Sequence, residues 1–101
     1  MILQPATGGG SGLVLQRMRW NKDLLGVRNG VNSVFTTPEV FVQDGELVIR
    51  VYKNGSRQRF GSSNDYTVSE SGGAGSGYDT VTFNGPAPQS DDGLTVDYFV
   101  P

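Results

Sequence analysis

The chain has 101 residues, 36% hydrophobic and 18% charged, with 15 glycines, five prolines and a net charge of −2. This length suits one domain with a thin core, and the small negative charge argues against nonspecific nucleic-acid binding as its main task. The absence of cysteine and histidine excludes disulfides and thiol chemistry and removes the commonest general base and zinc ligand.

Charge is unevenly spread. Residues 1–22 carry Arg17, Arg19 and Lys22 and no acid, whereas residues 60–101 carry Asp65, Glu70, Asp79, Asp91, Asp92 and Asp97 and no base. The polarity suits copies that pack basic arm to acidic body; scatter in a small sample explains it equally well. No apolar run approaches membrane-spanning length, and Met1–Pro5 lacks the pattern of a secretory signal. The expectation is a soluble protein made in a cytoplasm.

In chain order, residues 1–12 end in a Gly/Ser tract with nothing to bury. Residues 13–20 alternate as a strand does, with Arg17 and Arg19 on one face and Met18 and Trp20 on the other. Two readings stand: the first strand of the domain's own sheet, or an arm docking on a neighbouring subunit. The domain division puts a flexible arm at 1–21 and a β-sandwich at 22–101. Asp23–Arg28 reads as a short strand, Asn29-Gly30 as a turn, and Val31–Thr37 as a strand halted by Pro38. Glu39–Gln43 is another apolar run, and Asp44-Gly45 a turn.

Leu47–Tyr52 is the strand around which the rest is organised. Leu47, Ile49 and Val51 form its core face; Val48, Arg50 and Tyr52 form a face that is partly wet or covered by another chain. Asn54-Gly55 follows, the strongest short hairpin signal, because a type I′ turn needs positive φ at both central residues. Ser56–Phe60 is the return strand. Asp65–Ser69 and Thr80–Phe83 are strands separated by the flexible loop Ser71–Gly77. Asn84–Pro88 is a stiffened turn, and Leu94–Val100 closes the chain with Leu94, Val96, Tyr98 and Val100 on one face. No segment has helical periodicity over ten residues. The expected fold is all-β, a small antiparallel sandwich or barrel of about seven strands.

No reactive constellation emerges. Asp79, Asp91, Asp92 and Asp97 lack the spacing of a calcium loop and suit turns, and so thin a core leaves little room for a glycosidase cleft. The glycine tracts lack the Lys-Ser/Thr pair and helix of a phosphate cradle. The chain is therefore expected to be non-enzymatic, with no metal or cofactor. Arg50, Lys53, Arg57 and Arg59 cluster near Tyr52 and Phe60, a mix that grips single-stranded nucleic acid. A solvated hairpin tip whose charges protect a sheet edge explains it better, and docking on an acidic protein surface is a further reading.

The order Asn29-Gly30 to Thr36 and Pro38, then Val51-Tyr52-Lys-Asn54-Gly55, then Asp65-Tyr66-Thr67-Val68, Val81-Thr82-Phe83 and Val96-Asp97-Tyr98 resembles a small β-domain common in virion structural proteins of tailed bacteriophages. The match covers residues 24–100. The resemblance implies a virion component, of capsid decoration, collar/neck or tail/fibre accessory type. It would be homo-oligomeric, binding other virion proteins without nucleic acid or membrane. Its partner-binding residues would be Leu13, Leu15, Arg17, Met18, Arg19 and Trp20 in the arm, with Arg50, Tyr52, Arg57 and Arg59 at the hairpin; aromatic and arginine side chains dominate interface energies. Adhesion to host-surface carbohydrate is the alternative, with Tyr52, Tyr66, Tyr78 and Tyr98 as stacking surfaces.

Overall fold

A computed structural model describes residues 17–45 and 47–101. Leu13 and Leu15 therefore lie outside the described residues. Among the described residues there are seven strands: β1 (Met18–Asp23), β2 (Val34–Phe41), β3 (Arg50–Lys53), β4 (Ser56–Arg57), β5 (Tyr66–Ser69), β6 (Tyr78–Phe83) and β7 (Leu94–Phe99). They form two antiparallel sheets, one of four strands in the order β1-β7-β3-β4 and one of three in the order β2-β6-β5. The all-β fold is the one the composition and turn signals led to.

Period-two alternation builds the core. β7 buries Leu94, Val96 and Tyr98 and turns Thr95 and Asp97 outward; β3 sets Val51 directly against Val96. Val51, Val81, Val96 and Tyr98 are 0% exposed. Phe35 meets Phe83 edge to face at 5.7 Å, and Phe41 lies between the rings of Tyr78 and Tyr98 at 6.0 and 6.1 Å. Such aromatic pairs add to the area they bury.

The Asn54-Gly55 turn has φ of 53° and 83°, the paired positive values of a type I′ hairpin, and sets Lys53 opposite Ser56. Its side chain does a second job. Asn54 Oδ1 accepts from Gly93 N at 2.7 Å while Nδ2 donates to Asp92 at 2.8 Å, tying the hairpin to the turn that feeds β7.

Both lateral seams between the sheets are bridged by backbone. Leu25 and Thr36 exchange N–H···O bonds of 2.8 and 2.9 Å, joining the chain beyond β1 to β2. On the other side, Gln58 N donates to Val51 O at 2.8 Å, and then Arg59 O accepts from Asp65 N and Gly61 N donates to Tyr66 O, each at 2.8 Å. Residues 58–61 thus leave the larger sheet and join the smaller one, and the sandwich closes toward a barrel, which leaves few edges for strangers.

Several segments differ from the sequence-based expectation. The strand expected over Leu47–Tyr52 is β3, Arg50–Lys53, with Leu47 in a single bridge to Asp44, and the one expected from Val31 opens at Val34. Asp23–Arg28 is not a strand: β1 ends at Asp23 and Leu25 makes a single bridge. Pro38 does not stop β2, which runs through it to Phe41. Four residues of β2, Thr37 to Val40, face one of β6 between the pairs Thr36↔Thr80 and Phe41↔Tyr78, so the ring falls in a bulge of an outer strand where no ladder N–H is needed. The return strand is cut to Ser56–Arg57 because the next residues cross to the other sheet.

Candidate functional site

β1 contains Met18, Arg19 and Trp20 and pairs with β7 of its own chain, Met18 opposite Phe99 and Arg19 opposite Tyr98. These arm residues therefore belong to the larger sheet. Between Arg19 and Lys22 the register shifts by one, at Asn21, whose φ is 56° and whose N–H donates to Asp97 Oδ1 at 2.7 Å. Asn tolerates this left-handed geometry, and the bulge leaves the indole of Trp20 61% exposed.

The arginines at this end have structural partners. Arg17 Nε donates to Val100 O at 3.0 Å, and Val100 N returns a bond to Arg17 O at 2.7 Å. Arg19 pairs with Glu39 at 3.0 Å across the β1–β2 seam, and the same carboxylate accepts from the Tyr98 hydroxyl at 3.1 Å. Burial, reinforced by Glu39, pushes the Tyr98 phenol up to about 12. Met18 is buried.

Trp20, Arg50 and Tyr52 come together on the outer face of the larger sheet. β7 runs between β1 and β3 and presents Thr95 opposite Tyr52 and Asp97 opposite Arg50. Trp20, Tyr52, Gly55, Thr95 and Asp97 line a shallow depression of about 320 Å³. Arg57 and Arg59 lie elsewhere. They line a larger groove of about 700 Å³ between the β2–β3 connection and residues 57–66, with Gln43, Val48, Phe60 and Tyr66 among its walls. Phe60 is 51% exposed and stands edge-on to Tyr66 at 5.7 Å. The Tyr66 hydroxyl donates to Ile49 O at 3.3 Å, and burial raises its pKa.

One surface went unread in the sequence. Leu25, Val27 and Val31 are exposed, Val31 by 82%, because residues 24–33 form a braced loop, and Val34, which opens β2, is exposed beside them. Asn29 Oδ1 accepts from the N–H groups of Val31 and Asn32, both at 2.9 Å, and Asn32 Nδ2 donates to the carbonyls of Val27 and Val34 at 3.1 and 2.9 Å. Gly30 N donates to Pro88 O at 2.8 Å. The two asparagines were the available signal, since Asn side chains bond nearby backbone and so favour turns over strands.

The aspartates weighed as metal ligands hold turns. The Ser71 hydroxyl and N–H keep the Asp79 carboxyl below the usual carboxylate range. The Gln89 N–H, followed by the Asn54 amide, does the same for Asp92. Asp97 takes the bulge N–H of Asn21. Among the described residues no three metal-ligating side chains converge, and no helix is long and apolar enough to cross a membrane.

Comparison with protein-family models, with curated proteins and with solved structures finds no match to this chain.

Proposed function

We propose that the chain is a non-enzymatic structural protein of tailed-bacteriophage particles, made in the host cytoplasm and docked on other virion proteins as a capsid decoration or head/neck accessory protein. The family resemblance supplies the setting. The observation that carries the docking role is the outer face of the larger sheet, where Trp20 and Tyr52 flank β7 beside Arg50. Trp20 is 61% exposed, and aromatic anchors with a neighbouring arginine are the usual centres of protein interfaces.

Removing residues 1–20 is the obvious test of an arm, but it also removes half of β1. The informative variants start the chain at residue 17, or keep it whole and carry Trp20→Ala with Arg50→Glu. Co-sedimentation with tailed particles is expected to fall at least tenfold for the double variant while its melting curve stays put. Full occupancy by that variant would remove the outer face from the interface.

A second reading, adhesion to host-surface carbohydrate, rests on the groove beside Phe60. Its half-exposed ring and mixed amide and guanidinium walls have the make-up of a sugar site.

A further inference from the structure

We propose that the groove at Arg57, Arg59 and Phe60 binds a carboxylate-bearing residue of an acidic oligosaccharide, an inference that rests on the second of the two readings above. Three features carry it. Lys53, Arg17, Arg19 and Arg28 are all engaged, with Asp92, Val100 O, Glu39 and Asp92 O respectively. The Arg57 and Arg59 guanidiniums, by contrast, have no hydrogen-bond or ion-pair partner among the described residues, yet both line one cavity. Two unneutralised forks facing one concave space suit a planar anion that takes two parallel N–H···O bonds.

The other walls select among anions. Gln43 and Gln58 each spend one end of the amide inside the fold, Gln43 Oε1 on Ile49 N and Gln58 Nε2 on Ser56 O. Asn64 likewise gives its Nδ2 to Phe60 O. That leaves a free donor on Gln43 and free acceptors on Gln58 and Asn64 around the same space. A sulfate or a fully ionised phosphate ester has only acceptors and leaves those acceptors unanswered. Sugar hydroxyls both donate and accept, and the exposed Phe60 ring offers a face for the C–H side of a pyranose. The cavity of about 700 Å³ holds a short oligosaccharide.

The groove is also firmly built. Arg59 N donates to Asp65 Oδ2 at 2.7 Å, and the Arg59 carbonyl accepts from Asp65 N at 2.8 Å, so residue 59 is bonded to the β5 side. Phe60 is held edge-on to Tyr66. Little ordering of this wall is needed on binding, so less of the interaction energy is lost to it.

The test is a titration of the full ¹⁵N-labelled chain with trigalacturonate, followed by amide shifts, with galactotriose and hexaglutamate at matched ionic strength. The expected result is saturable shifts at Gln43 and across Arg57–Tyr66 with trigalacturonate, weaker with either control. Arg59→Ala and Arg57→Ala should each weaken binding about ten- to a hundredfold, the size expected for a lost charge-assisted bond. Neither guanidinium makes a hydrogen bond or ion pair among the described residues, so neither variant threatens the fold. Equal binding of galactotriose overturns the acidic preference and leaves the carbohydrate reading standing. Silence with both sugars sinks inference and reading together. Hexaglutamate binding the same amides as tightly makes the groove a seat for an acidic protein segment and overturns the proposal, as do trigalacturonate shifts confined to the Trp20 face.

Discussion

On the four-stranded sheet, the residues that alternate with Val51 and Val96 are Arg50, Tyr52, Thr95 and Asp97, with Trp20 beside them. On the three-stranded sheet, the residues that alternate with Phe35 and Val81 are Val34, Thr36, Thr80 and Thr82, paired onward to Thr67 and Ser69. Inside, both sheets present aliphatic and aromatic side chains of one kind. Outside, one carries Trp20, Tyr52 and charged side chains, and the other mostly small hydroxyl side chains, Thr80 itself covered, with Glu39 as an exposed charge at the β2 bulge. Threonine on a pleated surface serves the sheet itself, since β-branched residues fit it and need no partner. Tryptophan and unpaired arginine do not. The contrast separates the face shaped by folding from the face available for recognition.

Three changes test how far that division holds. The largest effect is expected from Phe41→Ala, which empties the space between the Tyr78 and Tyr98 rings and touches both sheets. A loss of about 3–5 kcal/mol in urea unfolding is expected, with both sheets melting in one transition because the seams tie them together. Separate transitions for the two sheets would break that coupling.

Gly77→Ala should act on the smaller sheet first. Gly77 has φ of 103°, and an added Cβ would lie 2.4 Å from Val40 Cγ1 in the β2 bulge. Strain and overlap together predict a loss of about 1–3 kcal/mol. Hydrogen exchange should show faster opening in β2 and β6 than in β3 and β7; uniform acceleration would mean that the sheets have no separate local stability.

The smallest effect concerns acid. Asp79 braces the β5–β6 loop and Asp92 the hairpin side of the larger sheet, and both carboxyls are held below their usual range by hydrogen bonds. A depressed folded-state pKa means that the contribution is present above the unfolded value, about 3.9, and is lost as pH falls through the folded one. Stability should therefore hold from neutral pH to about 4 and decline below it. Asp79→Asn should flatten part of that decline while lowering stability at pH 7, and an unchanged acid profile would remove Asp79 from the account.

Legibility in the sequence followed the range of the interactions. Asn54-Gly55 was readable because its turn is decided by two residues, and β7 because Leu94, Val96 and Tyr98 alternate cleanly. Pro38 was misread as a stop, since its tolerance depends on a bulge against Asp79 and on an outer position, both set by strands far along the chain. Val27 and Val31 looked like strand residues; bonds from Asn29 and Asn32 make the segment a loop instead. The candidate surfaces were half legible. Trp20, Arg50 and Tyr52 were singled out by type, but their meeting depends on β7 lying between β1 and β3. The groove needed Gln43, Val48 and Ile49 to converge with Arg57–Phe60, Asn64 and Tyr66, which no local pattern announces.

The position of β7 also orders events during synthesis. It follows the other six strands, yet it is the only strand of the larger sheet that β1 pairs with. Until Phe99 has left the ribosome, Met18 and Trp20 have no ladder to join, whereas β2, β5 and β6 already have one another. The nascent chain thus carries β1 unpaired until then, and closing the sheet means joining strands about eighty residues apart, a slow step for so short a chain. A chaperone or an assembly partner that holds β1 would find its opening in that interval.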